Sequence, residues 1–247
     1  MRWGRYRPAT TATLAAALTA VLLTGCARFA GPAGQPVAGE PARGGDRGGD
    51  QSRNLPPVVD HVRTTDRVVF LTYDDGAERD PGFTALIRER RLPVTLFLTD
   101  TVAGPAYGHF AGLRSVGASL QNHTLDHRSL RGLPYAGQRA EICGQQTKLG
   151  SRFGVRPHLF RPPHGTYDTT TLRAAADCGI TAVVLWRASL NADGDLSYTR
   201  GEHRLHPGDI VSVDLAARTE RLLETIEEQG LKVGNLNDYL TSSPSGA

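Results

Sequence analysis

The sequence predicts an α/β fold with a parallel sheet or a (β/α) barrel, on two observations. From Pro56-Pro57 onward, apolar β-branched runs alternate with amphipathic stretches and no internal repeat of fixed period appears; this is the order expected when helices cross over between parallel strands. The polar clusters of this region fall at or just beyond the ends of those runs, where barrels and open parallel sheets place their chemistry.

Taken in order, Val68–Tyr73 is a run of β-branched and aromatic residues that stops on Asp74-Asp75-Gly76, a buried strand delivering two acids to its C-terminal end. A helix is expected near Pro81–Arg91, with Pro81 suited to its first turn. Pro93–Thr99 reads as the second strand and Pro105–Val116 as a short helix. Ala118–Asn122 is a third strand leading into His123, followed by a helix at about Gly137–Phe153. The strand His158–Phe160 runs into Arg161-Pro162-Pro163-His164-Gly165. Next come a helix at Thr169–Cys178 closed by Gly179 and a strand Thr181–Trp186. Asp209–Asp214 is the last clear strand, with a charged helix Arg218–Glu228 behind it.

The rest of the chain is appendage. Residues 1–26 read as an export signal: Arg2, Arg5 and Arg7 precede a short apolar stretch without acids, too short to span a membrane comfortably. Its end, Leu22-Leu23-Thr24-Gly25-Cys26, resembles the bacterial lipoprotein box, which implies acylation of Cys26 and attachment to the outer face of the cell membrane through the lipid alone. Residues 27–57 are Gly, Pro, Arg and Asp with little to bury, a flexible tether reaching on the order of 30 Å. The folded domain is then 58–247. Loss of the three signal arginines brings the formal charge of +3 to neutrality, so nothing points to a nucleic-acid partner. Cys143 and Cys178 are expected to pair in an oxidising compartment, the alternative being two buried small apolar side chains.

Side chains alternate along a strand, so Asp74 and Asp75 point different ways only if the strand ends there and Gly76 lets the backbone turn. Two neighbouring acids can then do different jobs. His123-Thr124-Leu125-Asp126-His127 places two imidazoles four residues apart, on one face if the segment is a helical turn, with Cβ atoms about 5–6 Å apart. Adding a carboxylate from Asp75 gives two nitrogens and one oxygen, a set that leaves a coordination position open for catalysis. The same set serves non-haem iron oxygenases, so the ligands alone leave the reaction undecided.

Thr72-Tyr73-Asp74-Asp75-Gly76, then His123-Thr124-x-x-His127, then Arg161-Pro162-Pro163-x-Gly165 after another strand, resembles the polysaccharide deacetylase family with its NodB homology domain, carbohydrate esterase family 4-like. The resemblance covers residues 66–240. It implies a distorted (β/α) barrel of about seven strands and one divalent ion, Zn²⁺ first and Co²⁺ or Ni²⁺ as alternatives. It also implies hydrolysis of N-acetyl or O-acetyl groups on a cell-wall or extracellular glycan, peptidoglycan or chitin-like; the protein is expected to be a monomer. By position Asp74 resembles the general base, Asp75, His123 and His127 the metal ligands, Arg161 the residue that holds the base, and the His164 amide the oxyanion donor. Pro162, Pro163 and Trp186 would line the substrate cleft.

Departures from the pattern bear on activity. His164 stands where the family has Tyr, and Arg187 where an acid is often found. In Gly208-Asp209-Ile210-Val211-Ser212-Val213-Asp214, Ser212 replaces an apolar pocket residue and Asp214 replaces the catalytic His. His206 lies too far along the same strand to step in. An aspartate with an ordinary pKa near 3.9 cannot donate a proton at pH 7, which makes His164 the preferred acid over Asp214. The alternative function is a catalytically weak, metal-retaining, glycan-binding lipoprotein.

Overall fold

The computed structural model describes residues 55–241, apart from 200 and 215; the export signal, Cys26 and nearly all of the tether lie outside them. The first half contains β1 (Val58–Val59), β2 (Val68–Tyr73), α1 (Pro81–Arg90), β3 (Thr95–Leu98), α2 (Asp100–Ala103), α3 (Tyr107–Ser115) and β4 (Ser119–Asn122). The second contains α4 (Tyr135–Phe153), β5 (Leu159–Phe160), α5 (Thr169–Asp177), β6 (Ala182–Val184), β7 (Ala188–Leu190) and β8 (Leu196–Tyr198). It ends with β9 (Ile210–Val213), α6 (Thr219–Glu228), β10 (Lys232–Val233) and α7 (Leu236–Thr241).

The strands form one sheet in the order β1-β6-β5-β4-β3-β2-β9-β7-β8, with β10 added beside β2. Every pairing is parallel except β7 with β8. Strand β6 pairs with β5 and β1 whereas β7 pairs with β9 and β8, and only residues 185–187 separate β6 from β7. One stretch of chain therefore joins the two flanks of the sheet, and the sheet curls into a distorted barrel.

Alternation along β2 divides the core. Val69, Leu71 and Tyr73 pack outward with Ile87 of α1, Phe110 and Leu113 of α3 and Leu222 of α6. Phe70 packs inward with Phe97, Leu159, Val184 and Ile210. A fully buried side chain of this size contributes about 1.5–3 kcal/mol, so these two layers fix which face of β2 looks inward. Asp74 continues the inward series Phe70, Thr72 and is thereby aimed at the barrel mouth.

Strand β2 and the C-terminus of α6 coincide with the sequence expectation. The expected helix at 105–116 begins later, because Gly104–Ala106 with Pro105 forms a separate 3₁₀ turn after α2. Strands β1, β7, β8 and β10 and helix α7 were not expected. At two or three residues each, the strands are too short to show a period. Cys143 of α4 and Cys178 at the end of α5 are joined, Sγ to Sγ at 2.08 Å.

Candidate metal centre and active site

The mouth of the barrel is built from β2 outward. After Tyr73 the chain places Asp75 in the left-handed region (φ 64°) and then Gly76 (φ 82°). A Cβ on Gly76 would stand 2.9 Å from Leu98 Cδ2 and 3.0 Å from Ala103 Cβ, so the turn needs glycine for space as well as for φ. The turn separates the two acids. Asp74 Oδ1 accepts from Nη1 of Arg161 at 2.8 Å, while Asp75 Oδ1 lies 3.1 Å from His127 Nε2 and 3.4 Å from His123 Nε2.

Strand β4 delivers His123, which is 2 % exposed. Its Nδ1 lies 2.7 Å from the Arg161 carbonyl, so Nδ1–H donates there and the Nε2 lone pair is left facing Asp75. The expectation of a helical turn across 123–127 is corrected: no helix forms, and Thr124 (φ 73°) and His127 (φ 53°) are both left-handed. Side-chain bonds replace the helix. Thr124 N–H donates to Asn122 Oδ1, His127 N–H donates to Thr124 Oγ1, and Asp126 N–H donates to buried Glu141 of α4. The two imidazoles end with ring centroids 4.9 Å apart.

Asp75, His123 and His127 present ligand atoms within 4.8 Å of one another. The residues fit a divalent ion on a further observation: Asp75 Oδ1 is buried and makes no hydrogen bond, an arrangement that is costly unless a cation or equivalent partner completes it. Burial pushes the His127 imidazole down, favouring the neutral form that ligates.

Arg161 follows β5 and is fully buried. Besides Asp74, its guanidinium donates to the carbonyls of Val184 and Leu185, each at 3.2 Å. The Phe97 ring lies 4.4 Å and the Trp186 ring 5.3 Å from its Cζ. Phe97 was missed in the sequence, although the alternation of β3 puts it on the inner face. Pro162 and Pro163 are buried, so they frame the loop from within. His164 (φ 59°) is exposed with its ring edge-on to His127 at 4.8 Å, and Gly165 backs onto the Trp186 ring.

Strand β9 closes the site. Ser212 pairs in register with Thr72 and its Oγ lies 3.5 Å from Asp74 Oδ2. Partial burial, then Asp74 and Asp75, push the Asp214 carboxyl up. Two residues stay away from the mouth. Arg187 Nη2 contacts Asp60 Oδ1 at 3.2 Å and His61 Nδ1 at 2.7 Å. His206 precedes β9 and lies 3.8 Å from both Glu202 and Asp209.

A curled α/β barrel with an Asp-His-His cluster at its strand mouths, and a second carboxylate clamped by a buried arginine beside it, defines a class: a barrel with a candidate metal site and an acid poised next to it. The comparisons give the family. The model described as "Polysaccharide deacetylase" matches residues 61–183. An uncharacterized protein of Streptomyces coelicolor, SCO4760, is 74% identical over 97% of this chain and 100% of its own length. Chitin deacetylase 1 of Cryptococcus neoformans is 24% identical over 67% of this chain, which spans only 35% of that protein. Among solved structures, the Bacillus anthracis protein BA3943, described as a CE4 family pseudoenzyme, superposes with TM-score 0.66 at 18% identity, covering 75% of this chain and 69% of that one. A mutant of it described as having restored enzymatic activity also gives TM-score 0.66, at 20% identity. The chain belongs to the polysaccharide deacetylase family.

Proposed function

We propose that the protein is a metal-dependent hydrolase that removes acetyl groups from an N-acetylated cell-wall or extracellular glycan. The observation that carries this reading is the pair of adjacent carboxylates with divided partners: Asp75 with two histidines, Asp74 with Arg161. Asp75, His123 and His127 would hold the ion, Zn²⁺ by the chemistry of a two-nitrogen, one-carboxylate set with an open position. An ion there supplies the Lewis acidity that polarises an amide carbonyl and lowers the pKa of a water.

The chain's own residues supply the proton handling. Asp74, held by the hydrogen bond from the Arg161 guanidinium, takes the proton from the attacking water. Ser212 lies against the other oxygen of Asp74 and helps hold the carboxylate plane. The leaving amine must gain a proton. Asp214 takes that role in this proposal because it directly follows β9, which pairs with β2 and so sets it beside Asp74; in the ion-free site burial, then the Asp74 and Asp75 charges, push its carboxyl up. This shifts the preference from His164, whose ring stands beside His127.

The test is acetate release from chito-oligosaccharides and peptidoglycan fragments by Zn²⁺-loaded protein against an EDTA-treated control and Asp74→Asn. Release that requires both the metal and Asp74 is expected. A second reading has its own observation: with Asp214 as the acid, the fold could serve as a weakly active or inactive glycan-binding protein, and a pseudoenzyme exists among the structural relatives. Glycan binding without any metal-dependent acetate would establish that reading instead.

We also propose that Cys26 is acylated and holds the domain at the outer face of the cell membrane, on the strength of the lipoprotein-type sequence and the tether behind it. Cys26→Ser should move the protein from the detergent phase to the aqueous phase. Retention of the variant wholly in detergent would refute the anchor.

A further inference from the structure

We propose that the His164 imidazole is a fourth, exchangeable protein ligand of the ion held by Asp75, His123 and His127. The inference rests on the metal reading above and adds a regulation to that site.

Three imidazoles line the mouth in series. His123 and His127 have ring centroids 4.9 Å apart, and His127 and His164 have centroids 4.8 Å apart. The spacing between the first two histidines is thus repeated between His127 and His164. Among the described residues, the ligand atoms already within 4.8 Å of one another belong to Asp75, His123 and His127 alone. His164 is therefore an outer group that reaches the ion by turning its side chain.

The loop is built to allow that. Pro162 and Pro163 are buried, and His164 and Gly165 are both left-handed at φ 59° and 65°. Gly165 sits against Trp186, where a Cβ would come within 3.1 Å of the ring. The backbone is thus fixed, while the exposed His164 side chain keeps its rotamers. Its ring offers an imidazole nitrogen of the same kind as the two already at the site.

The chemical consequence follows from coordination number. Four protein ligands close a zinc site, whereas catalytic sites keep a position for water. With His164 turned in, the site holds three imidazoles and a carboxylate and excludes the water. With His164 turned out, the position opens. Substrate must then displace the ring before reaction, which is a brake on turnover independent of the acid at position 214.

The experiment loads the full chain with one equivalent of Co²⁺ or Zn²⁺ and compares wild type with His164→Ala and His164→Tyr. Visible absorption of the Co²⁺ form reports coordination number, and X-ray absorption of the Zn²⁺ form counts imidazoles. Wild type should show four-coordinate Co²⁺ and three imidazoles; both variants should show higher-coordinate Co²⁺ and two. A direct ligand is worth at least as much as an outer-shell partner, so Zn²⁺ affinity should fall by about 10–100-fold in both variants. Two imidazoles in wild type, or identical spectra and affinities in all three proteins, would overturn the proposal while leaving the three-residue site standing. Failure of wild type to retain either ion would overturn the metal reading itself and this inference with it.

Discussion

Asp74→Asn tests the clamp that the whole site depends on. The substitution keeps the shape of the side chain and removes the charge facing Arg161, which is fully buried. Among the described residues Asp74 is the carboxylate paired with that guanidinium, at 2.8 Å; two carbonyls and two aromatic rings also contact it. Breaking a buried ion pair from one side costs about 3–5 kcal/mol. Asp74 is 25% exposed and the amide oxygen of Asn still accepts a hydrogen bond, so the loss should sit near the lower end, about 3 kcal/mol. For a domain of this size that lowers Tm by roughly 6–12 °C. The assay is urea unfolding of EDTA-treated protein followed by circular dichroism, which removes any contribution of bound metal. Arg161→Met is destabilising on its own account, since two carbonyls lose their donor. The double variant should be no less stable than Arg161→Met alone, because the charge that needed Asp74 has gone. An Asp74→Asn loss below about 0.5 kcal/mol, or two losses that simply add, would refute the reasoning.

Three further outcomes are expected. His123→Ala should abolish retention of one equivalent of Zn²⁺ after gel filtration, read by atomic absorption, and full occupancy in a folded variant would remove this residue from the ligand set. Asp214 is raised in the folded state, so it binds its proton more tightly there than in the unfolded chain; that stability is present below the unfolded pKa and is lost as pH rises through the folded one. Asp214→Asn should therefore raise the urea midpoint of metal-free protein at pH 7, change it little at pH 3, and reduce acetate release; a lower midpoint at pH 7 contradicts the sign. The Cys143–Cys178 bond closes a separation of 35 residues, worth up to ~4 kcal/mol by chain entropy. Dithiothreitol should lower the urea midpoint of wild type and leave Cys143→Ser/Cys178→Ser unaffected, whereas equal midpoints with and without reductant would show that the bond contributes nothing.

The fold was legible where one strand carried enough residues to show its period. Val68–Tyr73 has six, alternates between two buried layers, and was bounded correctly on both sides. The strand expected at His158–Phe160 was marked by the Arg161 cluster it runs into, and it forms at Leu159–Phe160. Ala188–Leu190 and Leu196–Tyr198 offered no such punctuation. Their place is decided by closure of the sheet, since β7 lies beside β9 only because residues 185–187 bend the strand away from β6. Sheet closure is a property of pairing between distant segments, and three-residue runs carry too little local pattern to announce it.

The site was legible as residue types at strand ends, and illegible as backbone. The spacing of His123 and His127 predicted proximity for a reason that does not operate: an i, i+4 pair is close on a helix, whereas here Asn122, Thr124 and Glu141 fold the segment into a loop that brings the rings to 4.9 Å. Right contact, wrong cause, is the expected error when a short motif is read by periodicity. The same blindness extends further. Of the five non-glycine residues with positive φ among the described residues, Arg91 ends a helix, and the other four are Asp75, Thr124, His127 and His164. Each costs on the order of 1–2 kcal/mol relative to an ordinary conformation, and no residue type announces it, because glycine would occupy those angles more cheaply. Strain concentrated around one mouth points to side chains retained there for chemistry. Three of the four belong to the ligand set and its loop. His164 shares the conformation without an assigned place in that set, and it stands one imidazole away from it.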